Sequence, residues 1–140
     1  VAAYARDLVA AFRALPSLPH ADTRNTFLWG HSMGGNISLR TLQALDSEVS
    51  AASVWSTRMG ASPASHEGTV TSTTTPLFIQ HSEAETVVSP DWARQTYEEN
   101  AGEQRDIRLA LYPSDAHLFE GKDLEDAIQQ DIRFFREYLK

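Results

Sequence analysis

The sequence predicts an α/β fold: a parallel sheet of about four strands flanked by helices. Three observations predict it. Short apolar runs alternate with segments of helical period along the whole chain. The runs are predominantly apolar, which suits strands covered on both faces. A glycine-flanked serine sits where the first of these strands turns into a helix.

The elements follow in order. Tyr4, Leu8, Ala11, Phe12 and Leu15 recur at helical spacing, so residues 2–15 read as a helix that Pro16 ends. A polar stretch containing Pro19, Asp22 and Asn25 leads to Thr26-Phe27-Leu28-Trp29, a strand stopped by Gly30. Residues 34–46 return to helical spacing through Ile37, Leu42 and Leu45, and Ala51 to Trp55 is the second strand. Residues 57–75, rich in Ser, Thr, Gly and Pro, carry no period and are long enough to predict a functional loop. Pro76 to Gln80 is the third strand, its proline tolerated at the first position. Ser89-Pro90-Asp91 starts a helix with a capping serine, a first-turn proline and an early acid; Gly102 is a fitting stop after Asn100. Ile107 to Tyr112 is the fourth strand. Leu124, Ile128, Ile132, Phe135 and Leu139 then form an apolar stripe on a final helix.

The bulk numbers suit one domain over residues 1–140, with 41% hydrophobic and 22% charged residues. No run approaches the roughly 18 apolar residues of a membrane span. The N-terminus reads as an amphipathic helix rather than a secretory leader, which favours a cytoplasmic location. A net charge of −7 without a Lys/Arg cluster argues against a nucleic-acid partner. The absence of cysteine excludes disulfides, thiolate metal sites and a cysteine nucleophile. With no H-E-x-x-H and no phosphate loop, no metal or cofactor is expected.

The chemistry sits in Gly30-His31-Ser32-Met33-Gly34-Gly35, a G-x-S-x-G pattern between a predicted strand and a predicted helix. A serine in so sharp a turn needs neighbours without side chains, and Gly30 and Gly34 are expected to give that room. The helix that follows aims its N-terminal N–H groups at developing negative charge, with Met33 N–H as one oxyanion donor. A serine hydroxyl also needs a base, and the base an orienting acid. For a serine on such a turn the chain order is serine, acid, histidine. Of the five histidines, His20 lies upstream in a polar loop, His31 adjoins Ser32 and is expected to buttress it, His66 falls in the irregular loop, and His81 ends the third strand. Only His117 follows the fourth strand, and it is the expected base. Glu83 and Glu85, after the third strand, are both within reach as the acid. Asp115 is better placed to shape the turn before His117, and Asp91 to cap its helix.

Three blocks carry a family resemblance: Trp29 to Gly35, Pro76 to Val88, and Leu111-Tyr112-Pro113 through His117-Leu118-Phe119. In this order they resemble the prolyl oligopeptidase-like and carboxylesterase branch of the α/β-hydrolases. The resemblance spans nearly all of the chain and implies a truncated or minimal version of that fold. The acid block of that branch reads His-Gly-x-x-Asp-x-x-Val. Laid on His81 and Val88, it implies Glu85 as the acid, with Glu in place of Asp and Ser82 in place of Gly. Members of the branch carry roughly a hundred or more residues before the elbow strand. Those residues would bring the first strands and a second oxyanion donor.

The resemblance and the motif together imply a serine hydrolase that cleaves small acyl esters, with no cofactor. Ser32 is then the nucleophile, His117 the base and Glu85 the acid. Trp55, Leu118, His31 and the 57–75 loop are candidate substrate contacts. A peptidase of the prolyl oligopeptidase type is the neighbouring reading, and a non-catalytic module that oligomerises is the rival. The edge of strand 26–30 lacks a neighbour in this chain, which predicts homo-oligomerisation through it.

Overall fold

The computed structural model describes residues 1–58, 73–100 and 105–140. Four strands, β1 (Phe27–His31), β2 (Ala51–Trp55), β3 (Leu77–Ser82) and β4 (Ile107–Tyr112), form one sheet in the order β1-β2-β3-β4. Every neighbouring pair is parallel, with Phe27 opposite Ala51, Ala52 opposite Leu77 and Leu77 opposite Ile107. The α/β expectation is met. Four α-helices accompany the sheet: α1 (Ala2–Ala14), α2 (Met33–Leu45), α3 (Asp91–Asn100) and α4 (Gly121–Glu137).

Alternate strand residues point to opposite faces. Leu28, Ala52, Val54, Leu77 and Ile79 meet Leu39, Leu42 and Leu45 of α2 and Ala93 of α3, while Leu8, Val9 and Phe12 of α1 pack against that layer. The other face carries Ala51 and Phe78 against Phe134, and Trp55 and Tyr112 against Phe119 and Ala127. Three helices thus cover one face and α4 the other. The inner strands β2 and β3 are buried at every position, polar Ser53, Gln80, His81 and Ser82 included.

Several boundaries differ from expectation. The first helix ends at Ala14, and Pro16 lies in a 3₁₀ turn, Leu15–Ser17. β1 continues through Gly30 to His31, and β3 runs from Leu77 to Ser82. Asp91 opens α3 with its N–H on Ser89 Oγ at 3.2 Å, so the serine serves as a cap. Gly102, His66 and most of the 57–75 loop lie outside the described residues. The returning end of that loop is tied down by Asp46, which accepts the Thr74 N–H at 2.6 Å and the Thr75 N–H at 3.2 Å.

The larger correction concerns α4. Its buried face is Ala127, Asp131 and Phe134, whereas Ile128, Ile132 and Leu139 of the expected stripe are exposed. The reason is polar. Asp131 reaches under the sheet and accepts hydrogen bonds from Ser53 Oγ at 2.6 Å, Trp55 Nε1 at 2.9 Å and Gln80 Nε2 at 2.6 Å. Turning the isoleucines inward would gain roughly 1.5–3 kcal/mol per side chain. It would leave three buried donors unpaired, at about 1–3 kcal/mol each, and would expose Phe134 as well.

Candidate active site

Ser32 sits between β1 and α2 with φ 53° and ψ −119°, a conformation that costs a side-chain-bearing residue about 1–3 kcal/mol. The surroundings hold it there. Its N–H donates to Trp55 O at 2.9 Å, and its carbonyl accepts the Asn36 N–H at 3.1 Å and Thr57 Oγ1 at 2.6 Å. The turn needs two close approaches. A Cβ on Gly30 would stand 2.4 Å from Gly34 O, and one on Gly35 would stand 2.7 Å from Thr57 Cγ2 and 3.0 Å from Gly30 O. Gly34 differs from expectation: a Cβ there meets nothing within 4 Å among the described residues. The third glycine of the run, rather than the second, makes the room.

His117 lies in the loop after β4, its Nε2 2.9 Å from Ser32 Oγ. Its Nδ1 makes a short hydrogen bond to Glu85 Oε1, which also accepts the Val88 N–H at 2.9 Å. The Glu85 side chain is fully buried, whereas that of His117 is 27% exposed. Glu83 faces away and pairs with Arg94 at 2.8 Å on the surface. Of the two glutamates left open by the residues alone, only Glu85 meets the imidazole.

The loops bearing Glu85 and His117 are laced together. Ser82 Oγ donates to Ala116 O at 2.6 Å and pairs with Ser114 Oγ at 3.0 Å, while the Ala84 N–H donates to Ser114 O at 3.0 Å. The serine at the position of the branch's glycine is therefore a tie between two loops. His31 Nε2 donates to the His117 carbonyl at 2.8 Å, and the two rings meet at a tilt of 55° with centroids 4.7 Å apart. It braces His117 from the strand that leads into Ser32.

The other candidate contacts separate. Trp55 is 3% exposed, packs on Trp29 and Phe119 and gives its N–H to Asp131, so it is core rather than pocket wall. Leu118 and Met33 are exposed beside His117 and Ser32. Met33 opens α2, where an N–H has no acceptor within the helix. A cleft of about 280 Å³ lies against Ser32, Met33, Asn36, Thr57 and Val88. Reading the sequence missed Asn36 and Thr57 as supports of the turn. Asn36 was visible as the residue one helical turn after the serine; Thr57, at the start of an irregular loop, gave no signal. Among the described residues no cluster of His, Asp and Glu is arranged to hold a metal ion, and no helix is long and apolar enough to cross a membrane.

A strand-turn-helix serine beside a histidine and a buried carboxylate, on a parallel sheet with helices on both faces, defines the α/β-hydrolase class. The chain belongs to the dienelactone hydrolase family, whose model matches residues 1–138. Among solved structures it is similar to Porphyromonas gingivalis dipeptidyl peptidase 4, with a TM-score of 0.79 and 18% identity over 97% of this chain and 23% of that one. A Mycobacterium tuberculosis puromycin-hydrolyzing peptidase gives a TM-score of 0.82 and 17% identity over 97% and 25%. Esterase PE8 gives 0.71 and 22% over 94% and 59%. At these identities the likeness is one of fold. The chain spans less than two thirds of the length of each of these three proteins. No curated protein matches it.

Proposed function

We propose that the chain acts as a serine carboxylesterase on small acyl esters. The observation that carries this reading is the line Ser32 Oγ, His117 Nε2, His117 Nδ1, Glu85 Oε1, with 2.9 Å between serine and imidazole. A general base must stand within about 2.6–3.2 Å of the proton it takes. Ser32 Oγ attacks the ester carbonyl while His117 Nε2 takes its proton, and Glu85 orients the imidazole and faces the imidazolium that forms. The tetrahedral oxyanion is stabilised by the Met33 N–H at the start of α2. His117 then protonates the departing alkoxide, leaving an acyl-serine. In the second half a water gives its proton to His117, attacks the acyl carbon and releases the acid, and the proton returns to Ser32.

The cleft of about 280 Å³ beside Ser32 among the described residues has room for a small acyl group, which supports short-chain esters as the first substrates. The test is hydrolysis of p-nitrophenyl acetate and butyrate by the wild type and by Ser32→Ala. Turnover is expected in the first and loss of at least about 10³-fold in the second. Equal rates would overturn the reading. A self-association is also proposed, because β1 is an edge strand with Trp29 48% exposed upon it.

A further inference from the structure

Glu85 is held from two sides, and His117 is only one of them. Oε1 receives His117 Nδ1 and the Val88 N–H. Oε2 has no hydrogen bond of standard geometry among the described residues, yet His81 Nε2 stands 3.1 Å from it. Both side chains are fully buried. His81 Nε2 is also 2.9 Å from Val88 O. A carbonyl oxygen only accepts, so the proton sits on Nε2. Nδ1, on the other side of the ring, is buried without a hydrogen-bond partner among the described residues. A proton there would be a buried N–H lacking an acceptor, so Nδ1 carries its lone pair and the ring is neutral. Burial acts in the same sense and holds the His81 pKa below its ordinary value, against the opposing pull of Val88 O and Glu85.

These contacts close a small ring. The Val88 peptide gives its N–H to Glu85 and takes the His81 N–H on its carbonyl. His81 is anchored at the end of β3, the most buried part of the sheet, while Glu85 lies in the loop beyond. A glutamate has three side-chain torsions to fix, and an Oε1 contact alone leaves the carboxylate free to swing.

We propose that His81 is a positioning residue of this site: its Nε2–H, donated to Val88 O and lying beside Glu85 Oε2, fixes the loop whose Val88 N–H holds the carboxylate, so that Oε1 faces His117. This rests on the reading of Ser32, His117 and Glu85 given above. A histidine that merely filled core space would be replaceable by an apolar residue with the same effect whether or not Glu85 were present. One that acts through Glu85 would lose its effect once Glu85 is gone.

The experiment is a double-mutant cycle on ester hydrolysis with His81→Leu, His81→Gln and Glu85→Gln. His81→Leu is expected to lower kcat about 10- to 100-fold with KM within about twofold, the scale of a misplaced catalytic group. His81→Gln, whose amide N–H can stand in for Nε2–H, is expected to recover kcat to within about threefold of wild type. On the Glu85→Gln background His81→Leu is expected to cost less than about twofold more. An equal loss on both backgrounds overturns the proposal. A second readout needs no turnover: the downfield proton resonance of His117 Nδ1–H at neutral pH, expected in wild type and His81→Gln and absent from His81→Leu. Its persistence in His81→Leu also overturns the proposal, and it decides the matter even if Ser32→Ala hydrolyses esters as fast as wild type and the esterase reading falls. Should His81→Leu not fold, ¹⁵N shifts of His81 in the wild type decide: a proton on Nδ1 refutes the arrangement.

Discussion

The sharpest structural prediction contrasts two neighbouring glycines. In Gly30→Ala the new methyl would lie 2.4, 2.5 and 2.6 Å from Gly34 O, Gly34 C and Gly35 N, whereas ordinary contact begins near 3.4 Å. All three atoms are backbone, so none can rotate away, and the start of α2 must retreat from β1 by about 1 Å. Overpacking of this kind costs up to about 3 kcal/mol. In Gly34→Ala the methyl meets nothing within 4 Å among the described residues, and exchanging glycine for alanine in a helix gains up to about 1 kcal/mol. The two variants should therefore differ by roughly 4 kcal/mol, nearly a thousandfold in the folding equilibrium. Urea denaturation at fixed pH reads this directly as a shift in midpoint. The same retreat moves Ser32 relative to His117, so the Gly30→Ala protein that remains folded should hydrolyse esters about 100-fold more slowly. A Gly30→Ala midpoint within experimental error of wild type, or a Gly34→Ala loss of equal size, would refute the reasoning.

Three further outcomes are expected. Glu85→Gln should reduce kcat by about 10³-fold or more while Glu83→Gln, which breaks only a surface pair with Arg94, changes it less than about twofold; steady-state kinetics that rank them the other way would show the wrong acid was chosen. Asp131 is pushed above its ordinary pKa of 3.8 by burial, so the folded chain holds a proton there that the unfolded chain has released. The stability it contributes is complete below 3.8 and is lost as pH rises through the raised folded value. The stability of wild type minus that of Asp131→Asn, from urea melts between about pH 3 and 8, should accordingly fall with rising pH; a rising difference would contradict the burial. Light scattering at micromolar concentration should find more than a monomer, and Trp29→Lys, which places a charge on the β1 edge, should shift the population back toward one chain; a wild-type monomer would end that proposal.

The order of strands and helices was legible because each strand is short, apolar and bounded by turn residues, and because the inner two are buried on both sides. The candidate nucleophile was legible because a strained serine needs glycine beside it, although which glycine makes the room was not: Gly30, Gly34 and Gly35 look alike until the approach of α2 to β1 is known. The facing side of α4 was misread for a specific reason. A carboxylate at helical spacing with isoleucines reads as the solvent side, and the donors that draw Asp131 inward lie 51 and 78 residues away at Gln80 and Ser53. His81 read as the end of the third strand, and it lies in β3, fully buried. Its relation to Glu85 depends on a loop folding back to Val88, which no local spacing announces. Glu83 and Glu85 were indistinguishable by residue type alone; the acid block of the family resemblance pointed to Glu85, and what each touches separates them.

The braces around His117 have a mechanical consequence. Ser32 leaves one edge strand of the sheet and the loop of His117 leaves the other, with β2 and β3 between them. At the usual strand separation that is roughly 14 Å of sheet, yet the two side chains meet at 2.9 Å and a second tie joins His31 to the His117 carbonyl. Among the described residues, the turn after β1 and the loop after β4 thus reach across the sheet's end to meet, like a clasp across the mouth of a twisted ribbon. The gap between serine and imidazole becomes a gauge of the ribbon's twist. A substitution deep in β2 or β3 that flattens the sheet slightly would widen that gap at the rim, so turnover should falter before melting temperature does.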